Sequence, residues 1–301
     1  MGGIPFTVKA YNVPANVFDD TYVAIQDETE RLEAMFSVYR DDSELALINR
    51  EGKGPVSDEV MQMIRLATRI SGDTDGAFDI SVGPLIELWR YCASQRRLPT
   101  TQELAQRKAL VDWRQVLTSS RGTVTLKQKN MSIDLGGIAK GYIADMAARK
   151  LKAQGIKRGI IDAGGDLVLF NTVGEDSFKV GIRDPRWPDD HFAILETDNG
   201  AVVTSGCYER NVIVGNKRLC HIINPHTGQP VDELSSTTIV AEEAATADAL
   251  ATAVMVLGLD GGKQLINSLP GVEGVLIWET AKGLEWWISA GLQGKVRIKN
   301  R

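Results

Sequence analysis

The stretch from Met131 to Asp145 constrains this chain more than any other. An apolar, strand-like run ends in Asp134 and two glycines, Gly136 and Gly137. A helical pattern follows at once, with Ile138, Tyr142, Ile143, Met146, Ala147 and Leu151 at spacings of three, four and five. A strand, a glycine turn and a helix start present backbone N–H groups to an anion. Lys140 adds a positive side chain in the first helical turn, and the helix dipole acts in the same direction. Asp134 brings a carboxylate, which a phosphate site would want only for a metal or a hydroxyl. The plain alternative is a tight turn whose glycines merely permit close packing. The stretch is not a Walker loop, because no Gly-Lys-Ser/Thr follows four variable residues. It is not a dinucleotide fingerprint either, because the third glycine is missing.

The rest of the chain narrows the class. With 301 residues there is enough for one large domain or two modest ones. The net charge of −5, without a lysine- or arginine-rich run, argues against nucleic acid as the main partner. No apolar stretch approaches the roughly 20 residues of a membrane span. The first ten residues lack the pattern of a signal peptide, so the protein is expected to be cytoplasmic or the sequence a mature or trimmed form. Three cysteines, Cys92, Cys207 and Cys220, are too few for a disulfide framework or a zinc site, although one disulfide is allowed.

Along the chain, Thr7–Tyr11 reads as an edge strand and Asn16–Phe36 as a long helix. Ser57 caps a second helix carrying Met61, Ile64 and Ile70. Met131–Asp134 reads as a strand, and a helix runs from about Ile138 to Gln154. Strands are expected at Gly159–Ile161 and Leu167–Phe170, around the loop Asp162–Asp166. Phe178–Ile182, Ala193–Glu196, Ala201–Thr204 and Asn211–Val214 continue a sheet-rich half. Ser236–Val240 is a strand, Ala244–Leu257 a strongly apolar helix and Gly261–Leu269 a last helix. Gly274–Trp278 and Glu285–Ser289 form a closing hairpin. Strands and helices alternate irregularly, which favours α+β over a doubly wound parallel sheet. No linker stands out, so residues 1–301 read as one domain, in one or two lobes.

Three further segments carry chemistry. Asp248 and Thr252 lie at i and i+4 on an otherwise apolar helix and share one face. A buried carboxylate must be paired, hydrogen-bonded or metal-bound, and a carboxylate with a hydroxyl suits a hard cation such as Mg2+. Otherwise, Asp248 caps the helix and Thr252 bonds back to a carbonyl. His221 and His226, two of three histidines in the chain, fall at the start of a strand and in the turn after it. His221 beside a phosphate could accept a proton. The loop Gly76–Leu85 offers backbone and Asp79 contacts to a planar or ribosyl ligand, or simply packs Phe78 into the core. The loop Asp162–Asp166 binds a ligand or simply turns.

Taken together, these segments resemble the ApbE family of FAD:protein FMN transferases along nearly the whole chain. The matching elements are Met1-Gly2, Tyr39 to Asn49, Gly76–Asp79, Asp134–Gly141, Ala163–Asp166, Thr204–Gly206, His221–Gly228 and Ala247–Thr252. Each is weak alone; all eight in order are specific. The resemblance implies an α+β, T-fold-like architecture with mixed and antiparallel sheets, FAD as donor substrate, and Mg2+. It places Asp248 and Thr252 as metal ligands, with a backbone carbonyl, that of Gly137, as a third. Met1, Tyr39, Ala77, Phe78, Asp79, Asp134, Lys140 and Ile223 fall on FAD-contacting positions, and His221 on that of the proposed base. The acceptor would be a Ser/Thr hydroxyl of a flavoprotein subunit of the sodium-pumping quinone reductase or Rnf type, at the periplasmic face of the cell envelope. The export signal and lipid-attachment cysteine common in the family are missing, which keeps a cytoplasmic location open. Asn224 stands where many members have Asp. Two other activities would use the same residues: hydrolysis of FAD to FMN and AMP, and FAD binding without catalysis.

Overall fold

The computed structural model describes residues 5–208, 211–214 and 217–299. Contacts divide the chain into two compact units. One holds residues 1–32, 140–208 and 233–301, the other 33–139 and 209–232.

The first unit is built on a seven-stranded sheet. Its order is Phe6–Ala10, Arg158–Ala163, Asp166–Asn171, Gly200–Gly206, Ser236–Ala241, Glu273–Thr280, Gly283–Ile288. Every neighbouring pair is antiparallel. The expected edge strand is at the edge, paired only with Arg158–Ala163 among the described strands. Ser236–Ala241 has little period-two alternation because almost every side chain in it is buried, as in a strand covered on both faces. A second sheet of Phe178–Asp184, Trp187–Thr197 and Val296–Ile298 supplies one cover. Phe178, Val180, Ile182, Phe192 and Leu195 pack there with Leu169, Val202, Val275 and Ile277 of the large sheet. Phe178–Asp184 alternates strictly between buried and exposed, the pattern of a strand with one core face.

The Ala244–Ser268 helix packs on the large sheet. The two helices expected at Ala244–Leu257 and Gly261–Leu269 are continuous, with a kink at Gly258 (φ 71°, ψ −165°). That conformation is open essentially to glycine alone. Glu233 Oε1 accepts the Leu259 N–H just past the bend at 3.0 Å. The helix is long and apolar enough to cross a membrane by length and composition, which corrects the expectation that no stretch approaches that limit. Most of it is buried inside the protein, as in a core helix. Its N-terminus is capped from a distance. Asp145, on the Ala139–Ala153 helix, accepts the Ala244 and Ala245 N–H groups at 2.9 Å each. Gly141 lies on the same helix where it touches Ala244, and a Cβ there would overlap the Ala244 carbonyl.

The second unit is mainly helical. Glu44–Glu51 and Asp58–Asp73 are capped by Ser43 and by Ser57, the latter as expected. Gly83–Ser94 and Thr101–Lys108 follow. Small sheets are formed by Lys53–Pro55, Thr123–Leu126 and Val116–Thr118, and by Asn211–Val214 with Lys217–Cys220. Leu85, Trp89 and Ile223 anchor a small core. The helices Glu44–Glu51 and Gly83–Ser94 are not among the elements expected from the sequence, in which Gly76–Leu85 is a loop. Cys207 and Cys220 are each disulfide-bonded, as the sequence allowed, and Cys92 is a buried free thiol.

Candidate functional site

The expected strand Met131–Asp134 joins no sheet. The physical reason is a substitute ladder. Asn49, on the Glu44–Glu51 helix, accepts the Ile133 N–H at 2.7 Å and donates to the Ile133 carbonyl at 2.8 Å. Asp134 N–H donates to the Ile80 carbonyl at 2.8 Å. One amide side chain thus does for Ile133 what a neighbouring strand would do. The segment enters the glycine turn extended and buried at Met131, Ser132 and Ile133.

In the turn, Asp134 Oδ1 accepts the Gly136 N–H at 2.6 Å, and the Leu135 carbonyl accepts Ile138 N–H at 3.1 Å. Two of the amides that the sequence offered to an anion are therefore committed to the turn itself. Gly137 has no such bond among the described residues, so its N–H is the amide of this turn left for an anion. Asp134 is half-buried and acts first as the turn's own cap.

Ala77 and Phe78 are buried. The Asp79 carboxylate caps the short helix Ile80–Val82, accepting from Ser81 N at 2.7 Å, Ser81 Oγ at 2.6 Å and Trp113 N at 3.2 Å. Burial pushes its carboxyl above the usual range against these three donors. Ala77 and Phe78 can meet a ligand only through backbone. A polar cavity of about 530 Å3 borders this loop, lined by Gly76, Asp79, Asp112, Trp113 and His226 among others. Tyr39 is 72 % exposed. The Arg90 guanidinium sits 5.1 Å over its ring, a cation–π contact that steadies an otherwise open aromatic face.

Ile223 is buried beside Leu85 and Trp89 and bridges to Pro230. His221 follows the strand Lys217–Cys220 in a bend, rather than starting a strand as expected. Asn224 Oδ1 accepts the His226 and Thr227 N–H groups at 2.8 and 3.1 Å. An amide oxygen thus performs the turn-forming work open to the more usual aspartate. Met1 lies outside the described residues.

The first unit holds the remaining candidates. Asp248 is 3 % exposed. It does not cap its own helix, whose N-cap is Glu243. Its Oδ2 instead accepts the Gly141 N–H at 3.3 Å. Burial raises its pKa, while the Lys140 charge and the Gly141 N–H oppose that rise. Thr252, half-buried one turn on, makes no side-chain hydrogen bond among the described residues, so the back-bonded alternative is not what the structure has. Lys140 Nζ lies 2.5 Å from Asp166 Oδ2. Asp166 opens the strand Asp166–Asn171 after Gly164 and Gly165, both at positive φ. In the sequence Asp166 is one residue of a turn or ligand loop, with no role of its own. Its fully buried position could have been suspected from the apolar run that follows it.

Among the described residues, no three His, Cys, Asp or Glu side chains gather as a metal cluster. A hard cation held here would combine one buried carboxylate with hydroxyl and carbonyl oxygens. Asp248 and Thr252, on one helical face, fit that donor set.

Known proteins resemble this chain along most of its length. The model of the ApbE family matches residues 2–276. The FAD:protein FMN transferase of Treponema pallidum is 32% identical over 289 residues, covering 89% of this chain and 79% of that protein. The Escherichia coli K12 protein of the same name is 30% identical over 276 residues, covering 88% and 78%. The crystal structure of the ApbE protein from Thermotoga maritima superposes with a TM-score of 0.88 at 30% identity, covering 98% and 96% of the two chains. The flavin transferase ApbE from Vibrio cholerae gives 0.82 at 26% identity, covering 97% and 96%.

Proposed function

Since the chain belongs to the ApbE family, we propose that it transfers the FMN moiety of FAD to a Ser or Thr hydroxyl of a partner flavoprotein, with Mg2+, releasing AMP. The observation that carries this reading is the buried Asp248 carboxylate held against the start of the Ala139–Ala153 helix, with Thr252 on the same face and Lys140 nearby.

A divalent cation bound by Asp248 and Thr252 would withdraw charge from the FAD diphosphate. Lys140 binds the phosphate on which charge grows. Tyr39 offers its open ring to the flavin and limits water at the phosphorus. Backbone groups of Ala77 and Phe78, with Asp79 and Ile223, hold the rest of the nucleotide. His221 accepts the acceptor hydroxyl's proton. The hydroxyl oxygen then bonds to the FMN phosphorus, and the bond from that phosphorus to the bridging oxygen breaks. AMP leaves with the bridging oxygen, and FMN remains attached through a phosphoester. The acceptor class is that of quinone reductase or Rnf-type subunits, at the periplasmic face. Both rest on the family's habits.

The test is incubation with FAD, Mg2+ and a threonine-containing acceptor peptide. The expected product is peptide heavier by one FMN, with an equal amount of AMP. Free FMN appearing at the same rate with and without peptide would identify a hydrolase. FAD bound without AMP formation would identify a binding protein.

A further inference from the structure

Lys140 serves two buried acids. Its ammonium is 2.5 Å from Asp166, and their side chains are 25% and 1% exposed. It also bears electrostatically on Asp248, which is buried and receives one backbone N–H from Gly141. An ammonium is a good internal counter-ion for a buried carboxylate. Released from Asp166, the Lys140 ammonium would compete with any external cation for Asp248. A cation arriving at Asp248 would in turn repel Lys140. Something must hold the lysine where it serves a phosphate without occupying the metal's ligand. Asp166 is built for this, rigidly placed as the first residue of a central strand and fully buried.

We infer that Asp166 is a positioning residue whose carboxylate holds the Lys140 ammonium away from Asp248 and so leaves Asp248 open to a divalent cation. The inference rests on the reading of Asp248 as a cation ligand. It assigns a task to a residue outside the metal and nucleotide sets described above.

The test is Mn2+ binding to the full chain without nucleotide, read by the loss of the free-ion electron paramagnetic resonance signal. Wild type, Asp166→Asn, Lys140→Met and the double variant are compared, with folding checked by circular dichroism. Asp166→Asn is expected to weaken Mn2+ binding about tenfold, as Lys140 transfers to Asp248. The double variant is expected to recover wild-type affinity or better, because the competitor is gone. Asp166→Glu, which keeps the charge, is expected to stay close to wild type. A merely structural aspartate would give weakening that Lys140→Met does not reverse, and that result overturns the inference. If Asp166→Asn does not fold, Lys140→Met alone decides. Tighter Mn2+ binding than wild type supports the inference, and equal or weaker binding overturns it. Wild type that binds no Mn2+ refutes the Asp248 reading itself, and this inference with it. Wild type that binds Mn2+ with Asp166→Asn unchanged refutes this inference alone.

Discussion

Replacing Asp145 by Asn isolates one contest between burial and hydrogen bonding. The Asp145 carboxylate is buried under the N-terminus of the Ala244–Ser268 helix, with two N–H donors at 2.9 Å. Those donors and the helix dipole favour the anion, by roughly 1.5–3 kcal/mol per bond and up to about 2 kcal/mol for the dipole. Arg149 favours it too, while Glu243 opposes it. Burial outweighs them, and the carboxyl is raised from 3.8 to about 6. The folded protein therefore holds this proton more tightly than the unfolded chain. Its contribution to stability is full below pH 4 and is lost as pH rises through 6. The loss is about 3 kcal/mol, since each pH step of separation is worth about 1.4 kcal/mol. Asn resembles the neutral acid and cannot ionise. Urea unfolding at intervals from pH 4 to pH 7.5, followed by tryptophan fluorescence, gives both stabilities. Relative to Asp145→Asn, wild type is expected to lose about 3 kcal/mol across that range. A wild-type advantage that grows with pH would mean that the two N–H donors and the dipole win, and the reasoning would be wrong.

Asp248→Asn keeps the shape and the Gly141 contact but removes the charge. It is expected to abolish Mg2+-dependent AMP release while circular dichroism stays native, and unchanged turnover would remove Asp248 from the site. Gly141→Ala drives a methyl into the Ala244 carbonyl. It should cost about 1–3 kcal/mol or more, measured as a lower urea midpoint. Gly258→Ala meets both a glycine-only backbone and the Glu233 carboxylate. A loss of about 1–3 kcal/mol is expected, and a midpoint equal to wild type would show that the helix can straighten.

Period and capping made much of the fold readable. Phe178–Asp184 shows its one-sided burial as alternation, and Ser57 announces its helix. The α+β class and the family both followed from order and motif. What stayed hidden was tertiary. Met131–Asp134 has the composition of a strand, but its hydrogen bonds come from Asn49, far away in sequence. Asp145 and Asp166 look like ordinary charges on a helix and in a turn. Only the fold shows that one caps a distant helix and the other holds Lys140. At the candidate site, Asp248 and Thr252 were visible because i and i+4 polar residues interrupt an apolar helix. The engagement of the Gly136 and Ile138 amides was not, because short-range turn bonding depends on backbone angles that glycine leaves open.

Asn49 carries one more implication. Its helix, Glu44–Glu51, has eight residues, too few to persist alone in water. Ser43 closes one end and Gly52, in the left-handed region, the other. Unravelling the last turn of this helix would strip Ile133 of donor and acceptor together. The glycine turn thus borrows its durability from two turns of helix outside it, and a fault there would loosen the turn without changing a residue of it.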